Sequence, residues 1–327
     1  GAMSTVLVTG GSGYVGTQLV AALLRAGRPV RATVRSAARE DGLRVAVRRG
    51  GADDAGLEVV TADLTADDGW KAAMAGCEEV HHVASPFPAV QPDDPDELIV
   101  PAREGTLRVL RAARDAGARR VVLTSSFAAI GYTPKPSAEF TEADWTDPDK
   151  PGLAPYPRSK AIAERAAWDF MQREGGGTEL TVVNPTFILG PTLTTEISSS
   201  LQLVKAMLDG TMTVVRRQRF GIADVRDVAD LHIRAMAVPD AAGKRFLALA
   251  DGPTISFLEL AETLRRRLGP LGVRVSVQEA PGEDPPPLVI HNDRARTELG
   301  WRPRPTETTI VESAECLRDL SLLEEQV

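Results

Sequence analysis

Short apolar runs alternate with longer stretches of helical period along most of this chain. Val6-Leu7-Val8 is unbroken by polar residues, as in a strand covered on both faces, and Gln18 to Ala26 carries apolar residues at helical spacing until Gly27 stops it. Val30 to Arg35 predicts a second strand, Leu57 to Val60 a third, and Val80 to Pro86 a fourth that runs into small residues. Pro95 to Ala116 predicts a long helix and Arg119 to Ser126 a fifth strand, ending in hydroxyls at Thr124, Ser125 and Ser126. Strands and helices alternating at this spacing imply right-handed crossovers and an α/β fold built on a doubly wound parallel sheet. Beyond residue 185 the pattern loosens. Helices are predicted over Val225 to Val238, over Ser256 to Leu268 with Ser256 as cap, and over Glu307 to Leu323; a strand is predicted over Lys244 to Ala250, and Pro281 to Pro287 forms a link.

The corner between the first strand and helix reads Thr9-Gly10-Gly11-Ser12-Gly13-Tyr14-Val15-Gly16. Glycines there let the backbone turn tightly, admit a pyrophosphate and pack the helix close to the strand. The free N–H groups of the first helical turn then face the anion. This assigns a dinucleotide-binding part to residues 4–189 with about 221–240, and a smaller discontinuous lobe to about 190–220 and 241–323. Residues 1–3 read as a cloning scar. Arg35 and Ser36 end the second strand, and no acid occupies residues 30–38, so a 2′-phosphate is favoured over a free ribose hydroxyl. Arg39 and Arg44 either join that phosphate site or solvate a helix. Asp63 either meets an adenine amino group or caps the next helix. Val83-Ala84-Ser85 is small enough for a cofactor to lie across it. Gly10, Arg35, Asp63, Ala84 and Ser126 all fall at carboxyl ends of strands, where such sheets bind ligands.

Composition narrows the picture. The 327 residues can bury a sizeable core, and 43% hydrophobic with 25% charged residues is ordinary for a globular chain. With 38 basic and 45 acidic side chains the net charge is −7, which disfavours a general role on nucleic acid or anionic membranes. Cys77 and Cys316, the two cysteines, make no disulfide framework or metal-ligand spacing, and a reducing cytoplasm is expected. No metal is expected either: His81 and His82 point to opposite strand faces, and His232 and His291 show no partner pattern.

Residues 131–155 hold five prolines and little periodicity, which marks one wall of a substrate pocket. Tyr156-Pro157-Arg158-Ser159-Lys160 then opens a strong helix and sets Tyr156 and Lys160 on one face. A lysine ammonium beside a phenol favours the phenolate and eases proton exchange. Ser126 is placed to hydrogen-bond a carbonyl oxygen.

On these blocks, together with Ala32 to Arg35, His82 to Pro86, Ala163 to Trp168, Asn184-Pro185-Thr186, Gly190-Pro191 and Asp224 to Ala229, the chain resembles the extended branch of the short-chain dehydrogenases/reductases. Within it the chain is similar to the dihydroflavonol reductase, cinnamoyl-CoA reductase and bacterial aldehyde reductase group. The resemblance implies a Rossmann-type sheet with a smaller C-terminal substrate lobe, and an NADPH-dependent carbonyl reductase giving an alcohol. It implies a catalytic set of Ser126, Tyr156 as proton donor, and Lys160 on the nicotinamide ribose. It further implies Arg35 on the 2′-phosphate, Asp63 and Leu64 beside adenine, cofactor contacts around Val83, Ala84, Ser85 and Thr124, and Pro185, Thr186 and Phe187 beside nicotinamide. Substrate contacts are expected from Phe87, Phe127, Gly131 and Ile188, the 131–155 loop and the helical region Ile197 to Leu208. Gly131 stands where plant flavonoid reductases commonly carry Asn or Asp. Leu153 to Pro157 replaces the Trp- and Cys-containing signature of cinnamoyl-CoA reductases. The expected substrate is therefore a smaller aldehyde or ketone, or another specialised metabolite, acted on by a monomer or homodimer. The alternatives are a sugar-nucleotide epimerase or dehydratase of the same branch, which Arg35 disfavours, and a non-catalytic NADPH sensor, which Tyr156 and Lys160 disfavour.

Overall fold

A computed structural model describes residues 4–84 and 92–325. The expected contacts of Ser85 and Phe87 lie outside the described residues. The strands, in chain order, are β1 (Val6–Thr9), β2 (Val30–Val34), β3 (Leu57–Thr61), β4 (Glu79–His82), β5 (Arg120–Thr124), β6 (Glu139–Phe140), β7 (Glu179–Pro185), β8 (Phe187–Leu189), β9 (Arg219–Phe220), β10 (Ile222–Asp224), β11 (Arg245–Ala248), β12 (Ile255–Ser256) and β13 (Val289–Ile290). The helices are α1 (Tyr14–Arg25), α2 (Glu40–Arg49), α3 (Trp70–Met74), α4 (Asp96–Asp115), α5 (Pro155–Glu174), α6 (Ser199–Asp209), α7 (Val225–Ala237), α8 (Phe257–Arg267), α9 (Asp293–Leu299) and α10 (Thr306–Asp319).

Seven strands form one sheet in the order β11-β7-β5-β4-β1-β2-β3, every pairing parallel. Strands in such a sheet are covered on both faces, which is why β1 reads as an unbroken apolar run. Leu7 points into a core with α3, α4 and α5, whereas Val6 and Val8 point into a core with α1 and α2. The chain leaves β1 for β2 and β3, then crosses back to β4 on the other side of β1. This switch opens a crevice at the carboxyl ends of β1 and β4.

Two expectations are corrected. Arg245–Ala248, expected within the smaller lobe, is the edge strand of the main sheet: it pairs with β7, and all four residues are buried. Helix α9, further along the chain, also packs on this side, with Ala295 and Leu299 in the core beneath α7. The closing helix stops at Asp319 rather than Leu323, because Ser321 takes a left-handed conformation at φ 57°. Strand β7 is an element that the hydrophobic pattern does not predict.

A further core is built from α6, α8 and α10, with Phe187, Phe220 and Phe257 ring against ring. Ser256 caps α8 by accepting the Glu259 N–H at 3.1 Å, as expected, and Ser198 caps α6 in the same way. The proline-rich stretch 131–155 has little regular structure, yet it is tied down. Strand β6 pairs with β13, and the Thr146 N–H reaches the Ala129 carbonyl at 2.9 Å.

Candidate active site

The glycine corner is shaped by contacts that leave no room for side chains. Gly10 is left-handed at φ 64°, and a Cβ on it would lie 2.7 Å from Ala84 Cα. One on Gly16 would lie 2.1 Å from the Gly10 carbonyl oxygen, so helix and strand touch through backbone. Gly13 precedes α1 without any side-chain cap, which leaves the N–H groups of Tyr14, Val15 and Gly16 to an outside acceptor. The Tyr14 side chain is turned away: its hydroxyl donates to the Gly190 carbonyl, and burial followed by Asp224 pushes the phenol well up. What Tyr14 leaves open at this corner is its backbone N–H.

Thr9 and the histidines form the floor of the crevice. Thr9 Oγ1 accepts the N–H groups of Val83 and Ala84 at 3.0 and 3.1 Å, which leaves its own proton for His82 Nδ1 at 2.7 Å. On the other sheet face Thr124 Oγ1 meets His232 Nε2 at 2.6 Å, and His232 Nδ1 meets His81 Nδ1 at 3.1 Å. His232 thus has the partner that its sequence context does not reveal, 151 residues away. Burial drives His82 and His232 down to about 3 and His81 well below its usual value, so all three are neutral. No metal-binding group of His, Cys, Asp or Glu occurs among the described residues.

At the tip of β2, Arg35 and Ser36 are exposed, and their side chains make no hydrogen bond or ion pair among the described residues. The other candidate arginines are engaged. Arg44 bonds Glu40 at 2.9 Å and Asp54 at 3.1 Å, and Arg39 pairs with Glu196 at 3.4 Å. Asp63 accepts the Thr65 N–H and hydroxyl, each at 2.8 Å; these bonds, with Arg35 and Arg108 nearby, hold its carboxyl below the usual range. Its turn-capping role is therefore present. Leu64 is buried against Gly105.

Lys160 lines a cleft with Ala84, Ala102, Thr106, Thr124, Ser125 and Glu164. Its Nζ lies 5.6 Å from the centre of the Tyr156 ring, one helical turn before it on α5. Ser126 Oγ accepts the Ala128 N–H at 3.0 Å, so its hydroxyl proton is available to donate outward. Phe127, which follows, stacks edge-on with Tyr132 and Phe140 at centroid distances of 6.0 and 5.8 Å. Burial and then the Tyr156 phenol push the Tyr132 hydroxyl up. Gly131 serves this packing, since a Cβ on it would lie 2.1 Å from Phe127 Cζ.

The other expected contacts follow the end of β7. The half-buried Phe187 ring packs against the aromatic core beside Phe220, and Ile188 packs against the core that holds Trp301. Pro185 is buried at the end of β7, and Thr186 is held by its N–H to the Ala248 carbonyl at 3.1 Å. Glu164, Arg245, Trp145 and Asn184 form one bonded cluster for which no role was read; Glu164 and Asn184 fall in blocks that carry the resemblance, and the i, i+4 spacing of Glu164 from Lys160 was a further signal.

The model of the NAD dependent epimerase/dehydratase family matches residues 6–248. A cinnamoyl-CoA reductase of Medicago truncatula, named CAD2, is 33% identical over 328 residues, covering 97% of this chain and 96% of that protein. An anthocyanidin reductase of Vitis vinifera, described as (2S)-flavan-3-ol-forming, is 31% identical over 89% of this chain and 88% of its own. Among solved structures, Gre2 of Candida albicans in complex with NADPH superposes with a TM-score of 0.80 at 26% identity, over 96% of this chain and 98% of that one.

Proposed function

The chain belongs to the NAD dependent epimerase/dehydratase family, in its extended short-chain dehydrogenase/reductase branch, and from that premise we propose that it is an NADPH-dependent carbonyl reductase. The residues fit such a cofactor. A Cβ on Gly10 or Gly16 would strike Ala84 or the Gly10 carbonyl, so the corner stays tight; the first turn of α1 offers uncapped N–H groups, and Arg35 is an exposed cation followed by Ser36 in sequence. Bound reduced nicotinamide supplies a hydride.

The protein's own groups do the rest. Tyr156 hands its phenolic proton to the carbonyl oxygen as that oxygen gains charge, and the Lys160 ammonium stabilises the phenolate left behind. Ser126 donates its hydroxyl to the same oxygen and orients it. The substrate is an aldehyde or ketone, and the product is the alcohol. Phe127 and Tyr132 form an apolar side for the group attached to the carbonyl. The observation that carries this reading is Lys160 in one cleft with Ala84 and Thr124, at the carboxyl edge of the sheet and on the Tyr156 helix.

The test is loss of reduced-cofactor absorbance with NADPH, and separately NADH, across small aldehydes, 2-oxo compounds, bulky aryl ketones and a dihydroflavonol. NADPH-dependent turnover of a carbonyl is the expected result. Tight NADPH binding with no carbonyl reduced would overturn it.

A further inference from the structure

The helix carrying Tyr156 and Lys160 brings a third polar residue to the same face, one turn further on. Glu164 lines the cleft with Lys160, and its side chain is fully buried. A carboxylate there needs partners on every side. It has Arg245 Nε at 2.6 Å and Nη2 at 3.3 Å, Trp168 Nε1 at 3.0 Å and Asn184 Nδ2 at 2.7 Å.

Two of these partners reach further. Asn184 Nδ2 also donates to the Ser126 carbonyl at 3.0 Å, so the strand end that presents the serine is tied to the Glu164 carboxylate through one amide. Arg245 Nη1 donates to the carbonyls of Glu142 and Asp144 at 2.9 and 2.7 Å, and its guanidinium lies 3.7 Å from the centre of the Trp145 ring. Thr146 then closes the path. Its hydroxyl donates to the Ala128 carbonyl at 2.7 Å and accepts the Tyr132 N–H at 2.9 Å. The network thus runs from the tyrosine helix to Ser126 by one route, and by the other to the 142–146 segment and back to the turn that follows Ser126.

Joining a sheet edge to a helix does not itself require charge. Apolar residues of equal volume commonly match or exceed the stability of a buried ion pair. What the charges add is direction: each N–H and each carboxylate oxygen fixes a particular neighbour at hydrogen-bond distance. Resting on the assignment of Ser126, Tyr156 and Lys160 as the reacting groups, we propose that Glu164 and Arg245 are positioning residues for carbonyl reduction. They set Ser126 against the Tyr156 helix and hold the Phe127 and Tyr132 wall in place.

The Glu164→Gln/Arg245→Met double variant removes both charges at similar volume and strands neither of them. It is expected to bind NADPH within about twofold of the parent, while kcat for a reactive aldehyde falls at least about tenfold, as small misplacements of reacting groups do. Amide exchange is expected to quicken at 126–132 and 142–146. Parental kcat with parental exchange would overturn the proposal. If the double variant does not fold, Asn184→Ala is read by the same two measurements: lower kcat with faster exchange at 126–129 supports positioning, and parental values refute it. The parent on the same aldehyde separates the two claims. A parent that reduces no carbonyl ends the reductase reading, and the exchange rates still decide for or against the clamp.

Discussion

The two sides of the cleft are built by different means. On the cofactor side, Gly10, Gly13 and Gly16 lie within seven residues of one another and work through backbone: one strand, one turn and one helix bring them together wherever they occur. On the proposed substrate side the wall depends on side chains that meet from far apart, Glu164 with Arg245 over 81 residues and Arg245 with the Glu142 carbonyl over 103. The first side is a local motif that many proteins can share while doing different things. The second is specific to one tertiary packing.

If the two sides are separable in this way, the chemistry can be removed with the cofactor side left whole. Tyr156→Phe deletes one oxygen and keeps the ring that lies 5.6 Å from Lys160 Nζ. Turnover should fall by roughly 10² to 10⁴-fold, the usual worth of a positioned proton donor. NADPH affinity, read by nicotinamide fluorescence, should stay within about twofold, because no part of the phosphate cradle has changed. A parallel loss of affinity would show that the two sides are one unit.

The reverse cut is smaller. Arg35→Asp removes the exposed cation at the tip of β2 and sets a carboxylate where a 2′-phosphate would lie. A charge-assisted hydrogen bond is worth about 1.5–3 kcal/mol, so the Kd for NADPH should rise roughly 10- to 100-fold while that for NADH stays level or improves. Turnover of the ternary complex should be unchanged, since Arg35 lies far along the sheet edge from Tyr156. Equal losses for both cofactors would make Arg35 part of the fold instead.

How much could be read from the sequence follows the same division. The order and nature of β1 to β5 were legible because short runs rich in apolar and β-branched residues alternate with stretches of helical period, and the glycine corner because its spacing is local. Strand β7 was not: Thr181 and Asn184 interrupt its apolar run, yet both are buried and bonded, Thr181 to the Ala241 carbonyl and Asn184 to Glu164. The strand that begins at Arg245 was legible, but its place at the edge of the main sheet was not, because its pairing with β7 and the burial of Arg245 against Glu164 are tertiary. The histidines show the limit most plainly. His81 reads in sequence only against its neighbour His82, His232 shows no partner at all, and only the packing of α7 on β4 joins the two.

Those histidines also supply a test in which both sides fail together, because they lie beneath the crevice that the two share. His82 and His232 are driven from 6.5 to about 3 by burial, and His81 is driven well below 6.5. Between pH 6.5 and about 3 the unfolded chain therefore binds protons at these positions that the folded chain refuses. Stability rises with pH across that window and is complete above it; it falls as the solution is acidified, by about 1.4 kcal/mol per pH unit for each histidine involved. Glu142 and Asp227, raised by burial, act with the opposite sign near the carboxylate range, so the histidine slope should stand clearest between pH 6.5 and 5. His81→Phe separates the contributions. It removes an imidazole whose Nε2 has no partner among the described residues, at the cost of leaving His232 Nδ1 without one, so its effect at pH 7 should be modest. Its effect on slope should be definite: urea unfolding followed from pH 7 to 5 should lose about one proton of pH dependence relative to the parent. A parental slope in the variant would mean that His81 takes up its proton in the folded state, and that the buried pair beneath Thr124 carries a charge.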